Sequence, residues 1–394
     1  MRERIYLGRL EELIKNYQFD LPLSLYLRQE FNKRRNMGSR DRKRTREDIF
    51  SFYRIGKIFP EMTTSERIAL GTFICGTSRN PETDFILTSY SPFLPENMTI
   101  SLDEKLEKVK EYFPDFELEE IFPFSKHLSP QIDKHLFIRS FLQQPKLWIR
   151  VRSAFRDKVI NELKERNFSF DVHAGNPCAL SLLNSTPVHE LTSYDKGYFE
   201  IQDLNSQNCI ADLKIEDNEI WWDACAGAGG KSLALLDMHP NLNITASDIR
   251  ESSLQNLKSR MSKASLNLES IIQIDLSADG SVPINHFDGI LADVPCSGSG
   301  TWARTPEMIS SFSEKNLSEK YIPLQRKIVK NLTNALKPEK YLIYITCSAF
   351  KSENEENIRH FEENLGLKCH SSSYFEGSGL AADTMYRAIL SKNN

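Results

Sequence analysis

The chain has 394 residues, 40% of them hydrophobic and 26% charged, with a net charge of -4. That length allows two or three domains, each with a buried core. The charge excludes a polycation, so any nucleic-acid contact has to come from local clusters. No apolar run approaches the ~18 residues of a membrane span.

The opening residues Met1-Arg2-Glu3-Arg4 lead into mixed charge and predict no signal peptide. Seven cysteines without a C-x-x-C spacing predict neither a zinc site nor a disulfide framework. A cytoplasmic chain with reduced thiols is expected.

Residues 1–144 have a helical pattern. Leu7, Leu10, Leu13 and Ile14 recur at helical spacing, as do Ile49, Phe52, Tyr53 and Ile58. Pro60, Pro92, Pro95, Pro114 and Pro123 punctuate the stretch. His127 and His135 bring no third ligand and predict no metal site. Nine basic residues lie between Arg28 and Arg46: Arg28, Lys33, Arg34, Arg35, Arg40, Arg42, Lys43, Arg44 and Arg46, opposed only by Glu30 and Asp41. Such a run is either a solvated face or a phosphate-binding patch.

The pattern changes at Gln144-Pro145. Residues Lys146 to Arg152 alternate apolar and basic side chains, which predicts a half-buried strand with Arg150 and Arg152 on one side. Asp157 to Arg166 predicts a helix with Val159, Ile160 and Leu163 as its apolar stripe. Residues 145–215 thus have the size of a small α/β module. The two arginines add a second basic face, and like the basic cluster it counts as a nucleic-acid contact only if the rest of the chain requires one.

From 216 to 394, strands and helices alternate. Strands are expected over Glu219–Ala224, Asn243–Asp248, Ser270–Asp275, Phe287–Val294 and Tyr341–Thr346. Helices are expected over Ser232–Met238, Ser252–Ser262, Glu319–Leu336 and Glu353–Leu365. This alternation predicts an α/β fold with a doubly wound, mainly parallel sheet.

Ligands of such sheets bind beyond the strand carboxyl ends, and the chemistry-bearing residues fall there. Asp223-Ala224-Cys225-Ala226-Gly227-Ala228-Gly229-Gly230-Lys231 follows the first strand, and its glycines let backbone approach a ligand. It lacks the G-x-G-x-x-G spacing, so alone it is equally a tight turn. Asp248 ends the next strand, 25 residues after Asp223, a distance suited to ribose hydroxyls.

Asp275 and Asp293 end the third and fourth predicted strands. Four strand ends with an acid add charge and no packing, which points to a nucleoside-containing ligand. Lys231, a cation at a helix start, is disfavoured by the dipole and needs an anion, either from a ligand or from Asp293. Buried cysteine is usually a small hydrophobe, and that suits Cys225. Cys296, in Asp293-Val294-Pro295-Cys296-Ser297-Gly298-Ser299-Gly300, and Cys347, in Thr346-Cys347-Ser348, both face the cleft and are candidate nucleophiles.

These motifs resemble the Sun/RsmB family of RNA cytosine-5 methyltransferases. The family's D-A-P-C-S-G-x-G matches Asp293–Gly300 with Val294 for Ala. Its T-C-S and E-N-E match Thr346–Ser348 and Glu353–Glu355, and its G-x-x-x-x-Q-D matches Gly197 to Asp203. Gly38-Ser39-Arg40-Asp41-Arg42 is similar to the N-terminal region of RsmB-type members. The match is specific over 197–357 and looser over 1–196. In the glycine motif, Gly227-Ala228 replaces Ala-Pro. Lys337-Pro338-Glu339-Lys340 replaces Lys-Pro-Gly-Gly, and Ala382-Asp383-Thr384-Met385-Tyr386 replaces the usual D-G-F-F segment, so no function is assigned to the C-terminal tail.

The resemblance implies a Rossmann-like methyltransferase domain (216–394), preceded by the small α/β RNA-binding module (145–215) and a helical NusB-like RNA-binding domain (1–144). It implies S-adenosyl-L-methionine as cofactor, with Cys225 to Lys231 on its methionine part, Asp248 on its ribose and Asp275 on its adenine side. Asp293 is expected both at the cofactor site and on the cytosine edge. Cys347 is implied as the nucleophile and Cys296 as the group that releases the product.

The implied substrate is RNA, small-subunit ribosomal RNA foremost with tRNA as the alternative, and the implied state is a monomer without metal. A DNA cytosine-5 methyltransferase would use Cys296 as nucleophile and leave Thr346-Cys347-Ser348 without a task. A catalytically silent RNA-binding assembly factor would have no need of the cysteines and acids.

Overall fold

The computed structural model describes residues 2–34, 37–278, 282–284 and 286–392. The chain divides into two units. The first is made of Met1–Lys126, Asp133–Gln144 and Trp302–Ser313, and the second of His127–Ile132, Pro145–Thr301 and Glu314–Asn394.

The described elements of the first unit are helical. Tyr6, Leu7, Leu10 and Leu13 form the buried face of the helix Arg2–Asn16, as their spacing requires. Three helices begin with reciprocal capping boxes, at Thr63 with Glu66, Asn80 with Thr83, and Ser101 with Glu104. Each satisfies amide donors that a helix start leaves open. Arg54 is fully buried and joins the three sequence pieces of this unit. Its guanidinium donates to the carbonyls of Phe141 (2.7 Å), Gln143 (2.9 Å) and Ala303 (2.9 Å). Burial lowers its pKa to about 10.

The second unit holds two sheets. The smaller has the order β2-β3-β1-β4, with β1 Leu147–Val151, β2 Phe170–His173, β3 Asn176–Leu182 and β4 Phe199–Ile201, all antiparallel. Ile149 and Val151 join Val159, Leu163, Leu180 and Phe199 in its core.

Arg150, in β1, and Arg152, just after it, both turn to a carboxylate of the same unit, Asp237. Arg150 Nη1 lies 3.0 Å from Asp237 Oδ2, and Arg152 Nε lies 2.8 Å from Asp237 Oδ1. Arg152 also donates to the carbonyl of Ala264 at 2.8 Å. Arg150 is 6% exposed. Alternation marks two environments for the strand faces without saying that the polar one is solvent.

The larger sheet has the order β10-β11-β9-β8-β5-β6-β7. Strands β5 Ile220–Asp223, β6 Asn243–Asp248, β7 Ser270–Gln273, β8 Phe287–Asp293 and β9 Leu336–Thr346 run parallel. β10 Leu367–Phe375 and β11 Met385–Lys392 add an antiparallel edge. Helices Gly230–Met238, Glu251–Ala264, Ile322–Ala335 and Glu355–Leu365 connect them. Two hydrophobic clusters, one containing Ile290, Val329 and Tyr344 and the other Leu233, Leu257 and Ile343, bury the strands.

Several boundaries differ from expectation. β7 stops at Gln273, so Asp275 lies two residues beyond a strand and ends none. The helix expected from Glu319 becomes regular only at Ile322, after a wide turn over Leu317–Tyr321; Pro323, which cannot donate, suits the first helical turn. β9 starts at Leu336, five residues early. Within it Glu339 takes φ 63°, the left-handed conformation that glycine adopts at no steric cost. The residues of the C-terminal tail form the edge hairpin of the sheet: β10 is mostly polar, whereas β11 is a largely apolar, buried run that the expected elements leave out.

Candidate active site

The glycine loop turns between β5 and the helix that starts at Gly230. Gly229 has φ 78°, and a Cβ there would stand 2.8 Å from the Leu257 side chain, so the turn needs glycine. The loop is held from the next strand. Asp248 Oδ2 accepts from the Gly227 amide at 2.9 Å, and its Oδ1 accepts from the Arg250 amide at 2.8 Å. Arg260 donates to the Ala228 carbonyl at 2.7 Å. Cys225 packs against the core. Burial, with the carboxylates of Asp223, Asp293 and Asp248, pushes its thiol well above the ordinary value. Asp223 is buried beneath the loop, where it accepts from Ser232 Oγ at 2.5 Å, and burial raises its carboxyl to about 7.

Lys231 meets the anion that its place at a helix start calls for. Its Nζ lies 2.6 Å from Asp293 Oδ2 and 3.2 Å from Ser206 Oγ. Burial opposes the lysine's charge, but Asp293, together with Cys209 and Asp223, outweighs it and holds the pKa above the ordinary value. Lys231 has 9% side-chain exposure and Asp293 31%, so the carboxylate is the accessible member of the pair.

Cys296, three residues after β8, and Cys347, directly after β9, stand with their sulfurs 3.3 Å apart. Both are free thiols. The contact with Cys347, then burial, keeps the Cys296 thiol protonated well above its usual range. The loop of Cys296 is pinned to the end of β9: the Gly300 amide donates to the Cys347 carbonyl at 2.9 Å, and the Thr384 amide to the Gly300 carbonyl at 2.9 Å. A Cβ at Gly300 would stand 2.0 Å from the Thr384 carbonyl oxygen, so only glycine fits.

Behind the thiols lies Glu353, with no exposed surface. Its Oε1 accepts from the Ser297 amide (2.9 Å) and Gln325 Nε2 (2.8 Å); its Oε2 accepts from the hydroxyls of Ser297 and Ser348, both at 2.5 Å. The neighbouring Asn354 accepts from Thr346 Oγ1 at 2.6 Å and donates to the Ser348 carbonyl at 2.8 Å. Glu353 and Asn354 were visible in the sequence only as part of a motif. Nothing in the spacing says that one carboxylate reaches Ser297, 56 residues away.

The structure thus gathers Cys225 to Lys231, Asp248, Asp293, Cys296 and Cys347 at the carboxyl ends of β5, β6, β8 and β9. Asp275 is separate. Its exposed carboxylate accepts from the amide and hydroxyl of Ser277, which lower its pKa, and so closes a local turn.

In the first unit the basic cluster is divided in its employment. Arg34 pairs with Glu12 at 2.8 Å, Arg44 pairs with Glu82, and Arg42 donates to the Met37 carbonyl at 3.0 Å. Arg40, Lys43 and Arg46 are exposed at three-residue spacing on one helix, and Arg35 lies outside the described residues. Among the described residues, no three His, Cys, Asp or Glu side chains are grouped to hold a metal, and no helix is long and apolar enough to cross a membrane.

Residues 210–390 match the family model described as 16S rRNA methyltransferase RsmB/F. The ribosomal RNA small subunit methyltransferase B of Photorhabdus laumondii is 30% identical over 243 residues, 60% of this chain and 54% of that protein. The chain spans about half the length of the curated relatives it matches. Among solved structures, PH0851 superposes with a TM-score of 0.73 at 21% identity, covering 99% of this chain and 97% of that one. NSun6 from Pyrococcus horikoshii with SFG gives 0.60 at 17% identity, covering 69% and 97%. These likenesses support the α/β fold with its helical N-terminal region.

Proposed function

We propose that this chain, whose residues 210–390 match the RsmB/F family of 16S rRNA methyltransferases, methylates carbon 5 of a cytosine in small-subunit ribosomal RNA, using S-adenosyl-L-methionine. The observation that carries this reading is the pair of thiols 3.3 Å apart beside a lysine-paired aspartate. A single nucleophile needs one cysteine; a second at contact distance suits a reaction that must also undo its own covalent bond.

The site fits the cofactor. The Gly227–Gly230 backbone turns into a cradle with Gly229 packed on Leu257, while at Gly227 a Cβ would meet only the Arg250 side chain at 3.9 Å, so backbone is open to a ligand there. Asp248 fixes that cradle, and its carboxylate retains acceptor capacity for a ribose diol. When bound, the cofactor supplies an electrophilic methyl group. Asp275, on the turn after β7, is assigned to the adenine side.

Cytosine carbon 5 is too electron-poor to attack unaided. In this proposal Cys347 sulfur adds to carbon 6, making carbon 5 nucleophilic. One Asp293 oxygen, with Lys231 on the other, accepts from the cytosine amino group and holds the base. After methylation a base takes the carbon 5 proton, that C–H electron pair re-forms the carbon 5–carbon 6 double bond, and Cys347 leaves as a thiolate, a departure that Cys296 assists. The base must be out of its stack to reach the thiol, which costs a few kcal/mol in a duplex. The helical unit and the small antiparallel sheet are assigned to RNA binding, with the Arg40, Lys43 and Arg46 face as its phosphate contact.

The test is transfer of a labelled methyl group to ribosomal RNA from a strain lacking this protein, followed by mapping of 5-methylcytosine. A single new 5-methylcytosine in small-subunit RNA is expected. Label only in tRNA, only in DNA, or in none of the three would overturn the substrate assignment or the activity.

A further inference from the structure

We infer that Glu353 is a positioning residue that holds the two thiols in register by bonding the residue that follows each of them. The inference deepens the covalent reading above and rests on it for its catalytic consequence.

Cys296 and Cys347 belong to separate loops, 51 residues apart in sequence. Their sulfur separation depends on the bonds between the loops: the Gly300 amide to the Cys347 carbonyl, the Ala349 amide to Ser299 Oγ at 2.9 Å, and the contacts that join Ser297 to Ser348. The two hydroxyls touch directly at 3.1 Å, and one carboxylate oxygen of Glu353 accepts from both at 2.5 Å. The other oxygen takes the Ser297 amide and Gln325 Nε2. Gln325 is itself fixed, its Oε1 accepting from Asn357 Nδ2 at 2.7 Å and its Nε2 also donating to the Pro295 carbonyl at 3.0 Å.

The four donors to Glu353 just described are neutral. A buried carboxylate without a cation is costly unless its lone pairs are filled, and here four donors fill them. A charged group in that position does little for packing that an apolar side chain could not do. It does give two loops a common acceptor with fixed geometry. Among the described residues, no other carboxylate is bonded to both loops.

The inference separates Glu353→Ala from Glu353→Gln. Alanine removes every bond to the loops. Glutamine keeps one oxygen for the Ser297 amide and Gln325, and its amide can donate to the two serine hydroxyls, which rotate to accept.

Thiol registration is measured with phenylarsine oxide. Arsenic binds both sulfurs, and the two thiol protons leave with the oxide oxygen as water, so bridging needs the sulfurs near contact. Intact mass and thiol titration of the full chain should show one arsenical bound and two thiols consumed. Cys296→Ala and Cys347→Ala should each lose that bridge.

Glu353→Ala should bridge at least about tenfold more weakly and lose kcat by about ten- to a hundredfold, the effect of one or two lost charge-assisted bonds. Its KM for the cofactor should stay within about twofold. Glu353→Gln should recover most of both losses. If Glu353→Ala fails to fold, the Ser297→Ala/Ser348→Ala pair cuts the same link from the other side and should also weaken bridging.

Bridging and kcat unchanged in Glu353→Ala, or in the folded double-serine variant, would overturn the inference. So would losses in Glu353→Gln as large as in alanine. Bridging lost in Glu353→Ala while Cys347→Ala still methylates would support the clamp and remove the covalent reading instead.

Discussion

Lys231 Nζ stands 2.6 Å from Asp293 Oδ2, joining the helix behind the glycine loop to the strand that delivers Cys296. The pair connects the two halves of the site, the cradle after β5 and the thiols after β8 and β9. A buried ammonium holds the aspartate in place, and one carboxylate oxygen remains to meet a ligand.

On the cradle side, Asp248→Ala is expected to raise the dissociation constant for S-adenosylmethionine. The carboxylate both fixes the Gly227 amide and presents acceptors to a ribose, and a hydrogen bond to a charged group is worth about 1.5–3 kcal/mol. Calorimetric titration should show about a ten- to hundredfold loss with RNA affinity retained. Wild-type cofactor affinity would remove Asp248 from the site.

Asp223 makes stability depend on pH. Its folded carboxyl titrates near 7, well above the usual value of 3.8. The native state therefore keeps a proton that the unfolded chain has already released, and this stabilisation fades as pH rises through the window between those values. Asp223→Asn removes the proton. Relative to that variant, the wild type should lose about 2–3 kcal/mol of unfolding free energy between pH 5 and pH 8. Denaturant titrations giving the same difference at both pH values would contradict the burial of a protonated acid there.

The large sheet was legible from its sequence because buried parallel strands are continuous apolar runs, and the acids at their ends interrupt them abruptly. Asp223, Asp248 and Asp293 do end strands. Asp275 did not fit, since nothing in Ser270–Asp275 distinguishes a strand end from the turn after it. The Arg150/Arg152 pattern misled for a different reason: their partner, Asp237, is more than eighty residues away. The Glu353 clamp was hidden in the same way. Sequence pattern reports local periodicity, whereas a buried ion pair or carboxylate clamp is made by residues that only the fold brings together.

Neutralising basic residues should therefore have two different outcomes. Replacing Arg40, Lys43 and Arg46 together by Gln should weaken RNA binding and reduce its salt dependence by up to about one unit per lost phosphate contact, at nearly unchanged stability. Replacing Arg150 should instead lower stability by about 1.5–3 kcal/mol, because Gln202 loses a buried donor and Asp237 keeps only Arg152. An unchanged salt slope in the first variant would make that helix face a solvated surface. An unchanged unfolding transition in the second would mean that the buried pair contributes nothing.

The most direct measurement is denaturing electrophoresis of cysteine variants incubated with RNA and S-adenosylmethionine. Cys347→Ala should neither methylate nor form an adduct, because no sulfur adds to carbon 6. Cys296→Ala should accumulate a protein–RNA adduct that survives denaturation and requires the cofactor, because the second thiol is missing when Cys347 must leave. The double variant should show none. Adducts in Cys347→Ala and none in Cys296→Ala would exchange the roles of the thiols, and full methylation by Cys347→Ala without an adduct in any variant would contradict the covalent mechanism itself.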